Sequence, residues 1–280
     1  MADGQNRVVM GDCLYRVDTP WGDLTEGPEL GFISQVAVDS AGSLFILQRS
    51  SPPLIVLDRD GRFVRSFGDG LVRDGHGIYI DRDDRVFVVD RDAHQVMIFT
   101  VDGALLERLG ERDRPRFGAP FNHPTDCAVA EDGEIYVSDG YGNTRVHRFS
   151  PEGRLLQSWG EPGAGPGAFT TPHAVWVDRA DRVLVADREN DRVQVFDRHG
   201  GFLGAWTALY HPMDLFENAA GRVFVTDQVP RLTMFSPDGD VEGCCRPALN
   251  IAHGVSGDAS GNIYLAEMNP SRITRLTPEA

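Results

Sequence analysis

Short apolar runs separated by turn-forming pairs recur along the whole chain. One stretch contains His76-Gly-Ile-Tyr-Ile-Asp81, then Val86-Phe-Val-Val89, then Gln95-Val-Met-Ile-Phe99. Runs this short, rich in β-branched and aromatic residues, are typical of strands rather than helices. Tight turns are indicated by the pairs Asp60-Gly61, Asp102-Gly103, Glu152-Gly153 and Asp238-Gly239. The pattern therefore predicts an all-β fold.

The pattern also repeats at a regular spacing. Its units begin near Ser34, His76, Thr125, His173, Met213 and His253, which are about 40 to 49 residues apart. This spacing is typical of the four-stranded blade of a β-propeller. Six units predict an all-β, six-bladed β-propeller that forms a single domain over residues 1–280. A solenoid built from the same units is the alternative.

The two ends of the chain complement each other. The sixth unit lacks an outer strand, because the chain ends soon after Arg272-Ile-Thr-Arg-Leu276. The leading segment, Leu14–Gly22, is similar to the fourth strands that end in Phe67-Gly68 and Trp159-Gly160. We therefore expect the N-terminal strand to pair with the last blade and close the ring, which removes an exposed sheet edge.

Composition and charge restrict the classes of partner. The chain has 280 residues and a net charge of −15, and all 27 of its Lys and Arg residues are arginines. This charge disfavours binding to nucleic acid or to an anionic membrane surface. The absence of lysine excludes Schiff-base chemistry on a lysine side chain. The four cysteines lack the spacing of a zinc ribbon or of a disulfide framework.

Neither a signal peptide nor a membrane span is predicted. The first residues, Met1–Leu14, include Asp3, Arg7 and Asp12 and contain no apolar segment. No apolar run approaches the roughly 18 residues that a membrane-spanning helix requires. We expect a cytoplasmic protein whose partner is a small-molecule substrate.

One column of the repeat carries candidate metal ligands. Aligning the units on their turns places one residue at the start of each innermost strand: Ser34, His76, Thr125, His173, Met213 and His253. Histidine occupies alternate units, so a closed ring would bring three imidazoles together on its axis. Three such ligands with an open fourth position are typical of catalytic zinc, and Fe, Co, Ni and Cu also accept imidazole. The alternative is a set of hydrogen-bonded core histidines multiplied by repeat duplication.

The other five histidines lie outside this histidine column. We expect His94, His147 and His199 to lie in outer strands or turns and to be solvated. His123 and His211 each precede a proline in a loop that leads into the ring. For these two, a structural role is favoured over contact with substrate.

Two family resemblances run through the repeats. Residues 139–149 and 187–196 resemble the NHL repeat, which supports the propeller but no single function, since NHL proteins range from RNA binders to enzymes. The segments Asn122–Asp126, Ser138–Arg145, Ser158–Glu161 and Ala186–Asn190 resemble peptidyl-α-hydroxyglycine α-amidating lyase. That family is a six-bladed propeller, and the resemblance implies a zinc ion held by His76, His173 and His253.

The lyase resemblance also implies catalytic residues. It puts a base on Tyr141, in Ser138-Asp-Gly-Tyr141, and active-site arginines on Arg49 and Arg188. Either arginine could stabilise a tyrosinate or hold a carboxylate. The alternatives are that Arg188 pairs with an aspartate of its own repeat, such as Asp187, and that Tyr141 fills space between blades.

This sequence departs from the lyase family at several positions. The family has a structural calcium ion, bound by carbonyls at the positions of Val36 and Ile78 and by a carboxylate just after the third zinc histidine. That last position is Gly254 here, so an equivalent Ca²⁺ site is doubtful. The disulfide of the secreted enzymes would need cysteines at Asn122 and Gly142, and neither is present.

These features favour a zinc-dependent lyase. It would cleave the C–N bond of an α-hydroxyglycine-like carbinolamine, giving an amide or amine and glyoxylate or a related carbonyl compound. Two other functions stay open. One is a metal-dependent hydrolase or hydratase acting on a small molecule, and the other is a non-enzymatic NHL interaction module.

Overall fold

Six antiparallel β-sheets make up the structure. The computed structural model describes residues 6–247 and 250–279, so residues 1–5, 248–249 and 280 of the predicted domain lie outside the described part. Within that part, the regular elements are strands and one turn of 3-10 helix at Arg188–Asn190. No helix in the described ranges is long and apolar enough to span a membrane.

The strands are numbered along the chain. The first two are β1 (Arg7–Met10) and β2 (Cys13–Asp18). Blade 1 contains β3 (Ile33–Val38), β4 (Leu44–Gln48), β5 (Leu54–Leu57) and β6 (Phe63–Phe67). Blade 2 contains β7 (Gly75–Ile80), β8 (Arg85–Asp90), β9 (Gln95–Thr100) and β10 (Leu105–Gly110). Blade 3 contains β11 (Asp126–Val129), β12 (Ile135–Asp139), β13 (Arg145–Phe149) and β14 (Leu155–Trp159).

The remaining three blades follow the same order. Blade 4 contains β15 (Pro172–Val177), β16 (Val183–Asp187), β17 (Arg192–Phe196) and β18 (Phe202–Trp206). Blade 5 contains β19 (Pro212–Glu217), β20 (Val223–Asp227), β21 (Leu232–Phe235) and β22 (Val241–Cys245). Blade 6 contains β23 (Ala252–Gly257), β24 (Ile263–Met268) and β25 (Ser271–Glu279).

The blades form a closed ring. In blades 1 to 5 the four strands pair in chain order, and the first strand of each blade is innermost. The inner strands contact one another in the order β3, β7, β11, β15, β19 and β23, and β23 returns to β3. This arrangement confirms the six-bladed propeller predicted from the repeat.

The N-terminal strand completes the last blade, as predicted. Strand β2 pairs antiparallel with β25, so Val17 lies opposite Leu276. The strand ends at Asp18, earlier than the predicted Gly22, and Trp21 instead packs against Tyr264 with ring centroids 5.0 Å apart. Strand β1, which the sequence pattern did not predict, pairs with β2 and gives this sheet a fifth strand.

The core lies between the blades. Each sheet buries both of its faces against its neighbours, which explains why second strands such as β4 and β8 are nearly continuous apolar runs. Phe45 and Leu47 of blade 1, for example, pack with Ile78 and Val88 of blade 2. The inner strands are therefore held from both sides, and this fixes the residues that face the axis.

Candidate metal centre

Three histidines converge on the axis of the ring. His76, His173 and His253 are each the second residue of an inner strand, in β7, β15 and β23. Their ring centroids lie 4.9 to 5.0 Å apart. One ring nitrogen of each lies within 4.8 Å of the other two, and no other group of three His, Cys, Asp or Glu in the described ranges has this spacing. The structure thus brings together the three predicted ligands.

The neighbouring blades orient these imidazoles. Each Nδ1 donates to the carbonyl of the column residue in the next blade, at 2.7 Å in all three cases: His76 to Thr125, His173 to Met213 and His253 to Ser34. Because a carbonyl only accepts, each Nδ1 carries the proton and each Nε2 keeps its lone pair. Histidine therefore alternates with other residues along the column for a structural reason: each blade without a histidine supplies the carbonyl that orients the imidazole of its neighbour.

Burial keeps the three imidazoles neutral. It lowers the pKa of His76 and of His173 well below the usual range, and that of His253 to about 3. Neighbouring imidazole and guanidinium groups lower these pKa values further. A neutral imidazole with a free lone pair is the form that binds a metal ion.

The phenol of Tyr141 contacts two of the three histidines. Its oxygen is 3.1 Å from Nε2 of His76 and 3.1 Å from Nε2 of His173. Nη1 of Arg188 donates to the same oxygen at 3.1 Å. Tyr141 is 38% exposed, which is incompatible with the alternative that it only fills space between blades.

The hydrogen bonds around the Tyr141 oxygen cannot give every Nε2 of the three histidines a proton donor. The phenol has one proton, and it faces two Nε2 lone pairs whose rings already use their Nδ1 protons on carbonyls. In His253, only Nδ1 is hydrogen-bonded within the described residues. A cation between the three rings would give every Nε2 a partner. The donor set therefore fits a metal ion better than it fits hydrogen-bonded core histidines.

Five residues occupy one repeat position around the channel: Arg49, Arg91, Tyr141, Arg188 and Met268. The backbone N–H of each donates to the carbonyl two residues before the histidine column, and the acceptors are Phe32, Asp74, His123, Thr171 and Ile251. The guanidinium carbons of Arg91 and Arg188 lie 5.5 and 5.3 Å from the centre of the Tyr141 ring. We did not predict Arg91 from the sequence, although it follows Asp90 just as Arg188 follows Asp187. An alignment of the second-strand ends would have found it.

Arg188 is held by the next residue in the chain. Its Nε donates to Glu189 at 2.8 Å, and its Nη2 lies 2.7 Å from the same carboxylate. Asp187, the predicted alternative partner, pairs instead with Arg192 at 2.8 Å, so that alternative is wrong. Because Glu189 holds Nε and Nη2, Nη1 of Arg188 is directed at the oxygen of Tyr141.

A layer of buried polar groups lies one residue further along the inner strands. Blades 1, 3 and 5 carry Gln35, Asp126 and Asp214, and blades 2, 4 and 6 carry Gly77, Ala174 and Gly254. A cavity of about 10 Å³ separates this axial polar layer from the histidines. Burial raises the pKa of Asp126 well above its usual range and that of Asp214 to about 6. Their hydrogen-bond partners are Gln35 and backbone N–H groups.

The axial polar layer also bears on the doubtful calcium site. A side chain added at Gly254 would come within 2.7 Å of Cα of Gln35. The position that carries the calcium-binding carboxylate in the resembled family therefore has no room for one here. Small residues alternate with polar ones at this position of the repeat, and that alternation in the sequence could have indicated the layer.

Two histidines that we expected to be solvated are buried. Nε2 of His147 lies 3.2 Å from the carboxylate of Asp139, and both side chains are fully buried. His94 lies in the turn between β8 and β9, and its Nδ1 accepts from the backbone N–H of His123 at 3.1 Å. The prediction was wrong because a propeller packs its turns and third strands against the neighbouring blade.

One of the remaining histidines is exposed, as predicted, and the other two stabilise loops. His199 is exposed. His211 is hydrogen-bonded through Nδ1 to Asp191 at 2.8 Å, and its ring stacks on Tyr210. His123 is hydrogen-bonded through Nδ1 to Asn122 at 2.9 Å. The contacts of His123 and His211 are those of loop-stabilising residues.

Comparison with known proteins agrees with this architecture. The NHL repeat matches residues 121–149 and 169–196. NHL repeat-containing protein 3 of Homo sapiens is 34% identical over 244 residues, which cover 81% of this chain and 65% of that protein. The chain thus spans just under two thirds of the human relative. The probable peptidyl-alpha-hydroxyglycine alpha-amidating lyase of Caenorhabditis elegans is 28% identical over 292 residues, which cover 89% of this chain and 83% of that protein.

Solved structures agree on the fold. Streptogramin B lyase superposes with a TM-score of 0.68 over 89% of this chain and 94% of its own, at 10% sequence identity. At that identity the likeness concerns the fold alone. The chain is thus a closed six-bladed β-propeller that carries NHL repeats, and its homologues include peptidyl-α-hydroxyglycine α-amidating lyases.

Proposed function

We propose that this protein is a metal-dependent lyase that splits the C–N bond of an α-hydroxyglycine-type carbinolamine. The observation that carries the proposal is the oxygen of Tyr141, which lies 3.1 Å from Nε2 of two histidines and 3.1 Å from a guanidinium nitrogen. A proton acceptor thus lies at the open side of the expected metal site. The activity is the one named for the nematode relative.

Zinc is the metal we expect at His76, His173 and His253. Three neutral imidazole nitrogens with an open position form the donor set of catalytic zinc sites. When bound, the ion supplies Lewis acidity, which lowers the pKa of a nearby hydroxyl group. The carbonyls that accept from each Nδ1 keep the three Nε2 lone pairs directed at one point, so little reorganisation would accompany binding.

Tyr141 is the proposed base. Its phenolate oxygen takes the proton of the substrate hydroxyl group, a C=O bond forms, and the C–N bond breaks with its electron pair going to nitrogen. Tyr141 then gives the proton to that nitrogen. The products are an amide and glyoxylate, and the side chain is restored without any further reactant. A charge-assisted hydrogen bond from Arg188 stabilises the phenolate.

The first test is turnover of N-benzoyl-α-hydroxyglycine by the zinc-loaded protein. We expect benzamide and glyoxylate in equal amounts. Because the proton acceptor is removed, Tyr141→Phe should lower the rate about 100-fold or more and leave zinc content unchanged. The matched control is Tyr210→Phe, an exposed tyrosine that stacks on His211, and it should retain the wild-type rate.

Metal content separates the three candidate functions. We expect about one zinc ion per chain in the wild type, since three ligands converge, and its loss in His173→Ala. Bound zinc without glyoxylate release would reject the lyase and favour a metal-dependent hydrolase or hydratase. A wild-type protein that takes up no zinc would reject both enzymes and favour the NHL interaction module.

A further inference from the structure

Arg49 and Arg91 are joined by one buried carboxylate. Asp74 accepts a hydrogen bond from Nη2 of Arg91 and lies 3.3 Å from Nε of Arg49. Nε of Arg91 also donates to Asp92 at 2.9 Å, and Nε of Arg49 donates to Oγ of Ser34 at 3.1 Å. Each guanidinium group is thus fixed in position, and we call the two side chains the arginine pair.

The arginine pair keeps hydrogen-bond donors for a ligand. Within residues 6–247 and 250–279, neither Nη1 nor Nη2 of Arg49 donates to the protein, and the same holds for Nη1 of Arg91. Arg188 differs, because its Nε and Nη2 contact Glu189 and its Nη1 contacts Tyr141. The three arginines around Tyr141 therefore fall into one that is fully engaged and two that are not.

The arginine pair also lies beside the proposed reaction centre. Both side chains leave the same repeat position, in the adjacent blades 1 and 2, as Tyr141 does in blade 3. The guanidinium carbon of Arg91 is 5.5 Å from the centre of the Tyr141 ring. About a quarter of each side chain is exposed, 22% for Arg49 and 24% for Arg91, so a ligand can reach both.

We infer that the arginine pair holds the carboxylate of the substrate and that Arg91 is a specificity-determining residue. The inference rests on the proposed function, and it assigns different roles to the three arginines. Arg188 serves Tyr141, while Arg49 and Arg91 bind the acid group, since guanidinium N–H groups match carboxylate oxygens in geometry and charge. The ligand class is an N-acylated α-amino acid with a free carboxylate.

The test uses two ligands that cannot react, because they lack the hydroxyl group. N-benzoylglycine has a free carboxylate, and N-benzoylglycinamide has a neutral amide in its place. Calorimetric titration of the zinc-loaded wild type should show tighter binding of the acid. Arg91→Gln should weaken binding of the acid about 10-fold, the loss expected for hydrogen bonds to a charged group, and leave binding of the amide unchanged.

The matched control variant is Arg85→Gln. Arg85 pairs with Asp81 at 2.7 Å and lies over the ring of Phe87 at 5.3 Å, so it has the same kinds of contact as Arg91 but does not contact Tyr141. It should bind both ligands as the wild type does. A metal assay of each variant checks that the zinc site is intact.

Three outcomes would overturn the inference. They are equal affinity of the wild type for acid and amide, wild-type binding of both ligands by Arg91→Gln, and an equal loss of both ligands in that variant. The last result would indicate a purely structural role for Arg91. Failure of the lyase proposal would look different, because tight binding that depends on Arg91 would then persist without any release of glyoxylate.

Discussion

At the scale of single residues, the Nδ1 hydrogen bonds determine the chemistry of the three histidines. Each bond fixes the tautomer and the ring orientation, and burial removes the positively charged form. In ordinary sites, protons compete with the metal for the imidazole lone pair. Here the folded protein has already excluded those protons at neutral pH.

Zinc affinity should therefore change little between about pH 7.5 and about pH 5.5. Three histidines with the ordinary pKa of about 6.5 would each lose about tenfold in available ligand at the lower pH, and about 1000-fold together. The pKa of His253 is lowered to about 3, and those of His76 and His173 also lie well below the usual range. We expect a change in Kd of less than about tenfold, measured by competition with a chelator. A loss near 1000-fold would mean that the three rings protonate within the folded protein.

The sequence was sufficient to predict the residues whose position follows from the repeat. His76, His173 and His253 share one column, so their convergence follows from the repeat and from closure of the ring. The ion pairs could not be predicted in the same way. Asp187 and Glu189 flank Arg188 symmetrically in the sequence, and the 3-10 turn at Arg188–Asn190 directs Arg188 to Glu189. Pairing of this kind depends on side-chain direction, which a repeat pattern does not specify.

At the scale of elements, neighbouring inner strands approach so closely at Gly77 and Gly254 that no residue larger than glycine fits there without displacing a strand. An added Cβ at Gly77 would lie 2.8 Å from Cα of Asp126, and one at Gly254 would lie 2.7 Å from Cα of Gln35. Both contacts are with backbone atoms of the next inner strand, which cannot rotate away. The glycines thus allow the axial polar layer to fill the channel.

Substitution of Gly254 by alanine should destabilise the protein by about 1 to 3 kcal/mol, the usual range for overpacking. Because β23 also carries His253, displacement of this strand should weaken zinc binding in the same variant. Gly204→Ala in the outer strand β18 is the control, since nothing lies within 4 Å of its added Cβ. Urea unfolding should give a near wild-type or slightly higher midpoint for the control. Equal midpoints for the two variants would contradict the close approach of β23 and β3.

Strand prediction succeeded where apolar runs and turn pairs agreed, and it failed at the N-terminus. Strand β1 contains the exposed Val9 between the half-buried Val8 and the buried Met10, because it lies at the edge of a sheet beyond the usual fourth strand. Its sequence, Arg7-Val-Val-Met10, does not alternate between polar and apolar residues, so the pattern along the chain does not indicate a strand there. Strand β2 was predictable because it substitutes for the missing outer strand of blade 6 and keeps that strand's pattern.

At the scale of the whole molecule, the metal site depends on closure of the ring. His76, His173 and His253 belong to blades 2, 4 and 6, so they meet only when the first and last blades are joined. That junction combines strands from both ends of the chain, since β2 pairs with β25. Contacts this distant in sequence are costly to form in chain entropy, and the apolar clusters that blade 6 forms with blade 1 and with blade 5 offset that cost.

An aspartate introduced on β2, the strand that closes the ring, should therefore abolish zinc binding although it does not contact the metal site. Val17 of β2 is buried opposite Leu276, and Val9 of β1 is 62% exposed. Val17→Asp buries an unpaired charge and should lower the free energy of unfolding by about 3 kcal/mol or more, whereas Val9→Asp should change it by less than about 0.5 kcal/mol. Thermal unfolding and zinc content should fall together in Val17→Asp, because an open ring separates His253 from the other two ligands. Full zinc content in a destabilised Val17→Asp protein would show that the histidines stay together without the N-terminal strand.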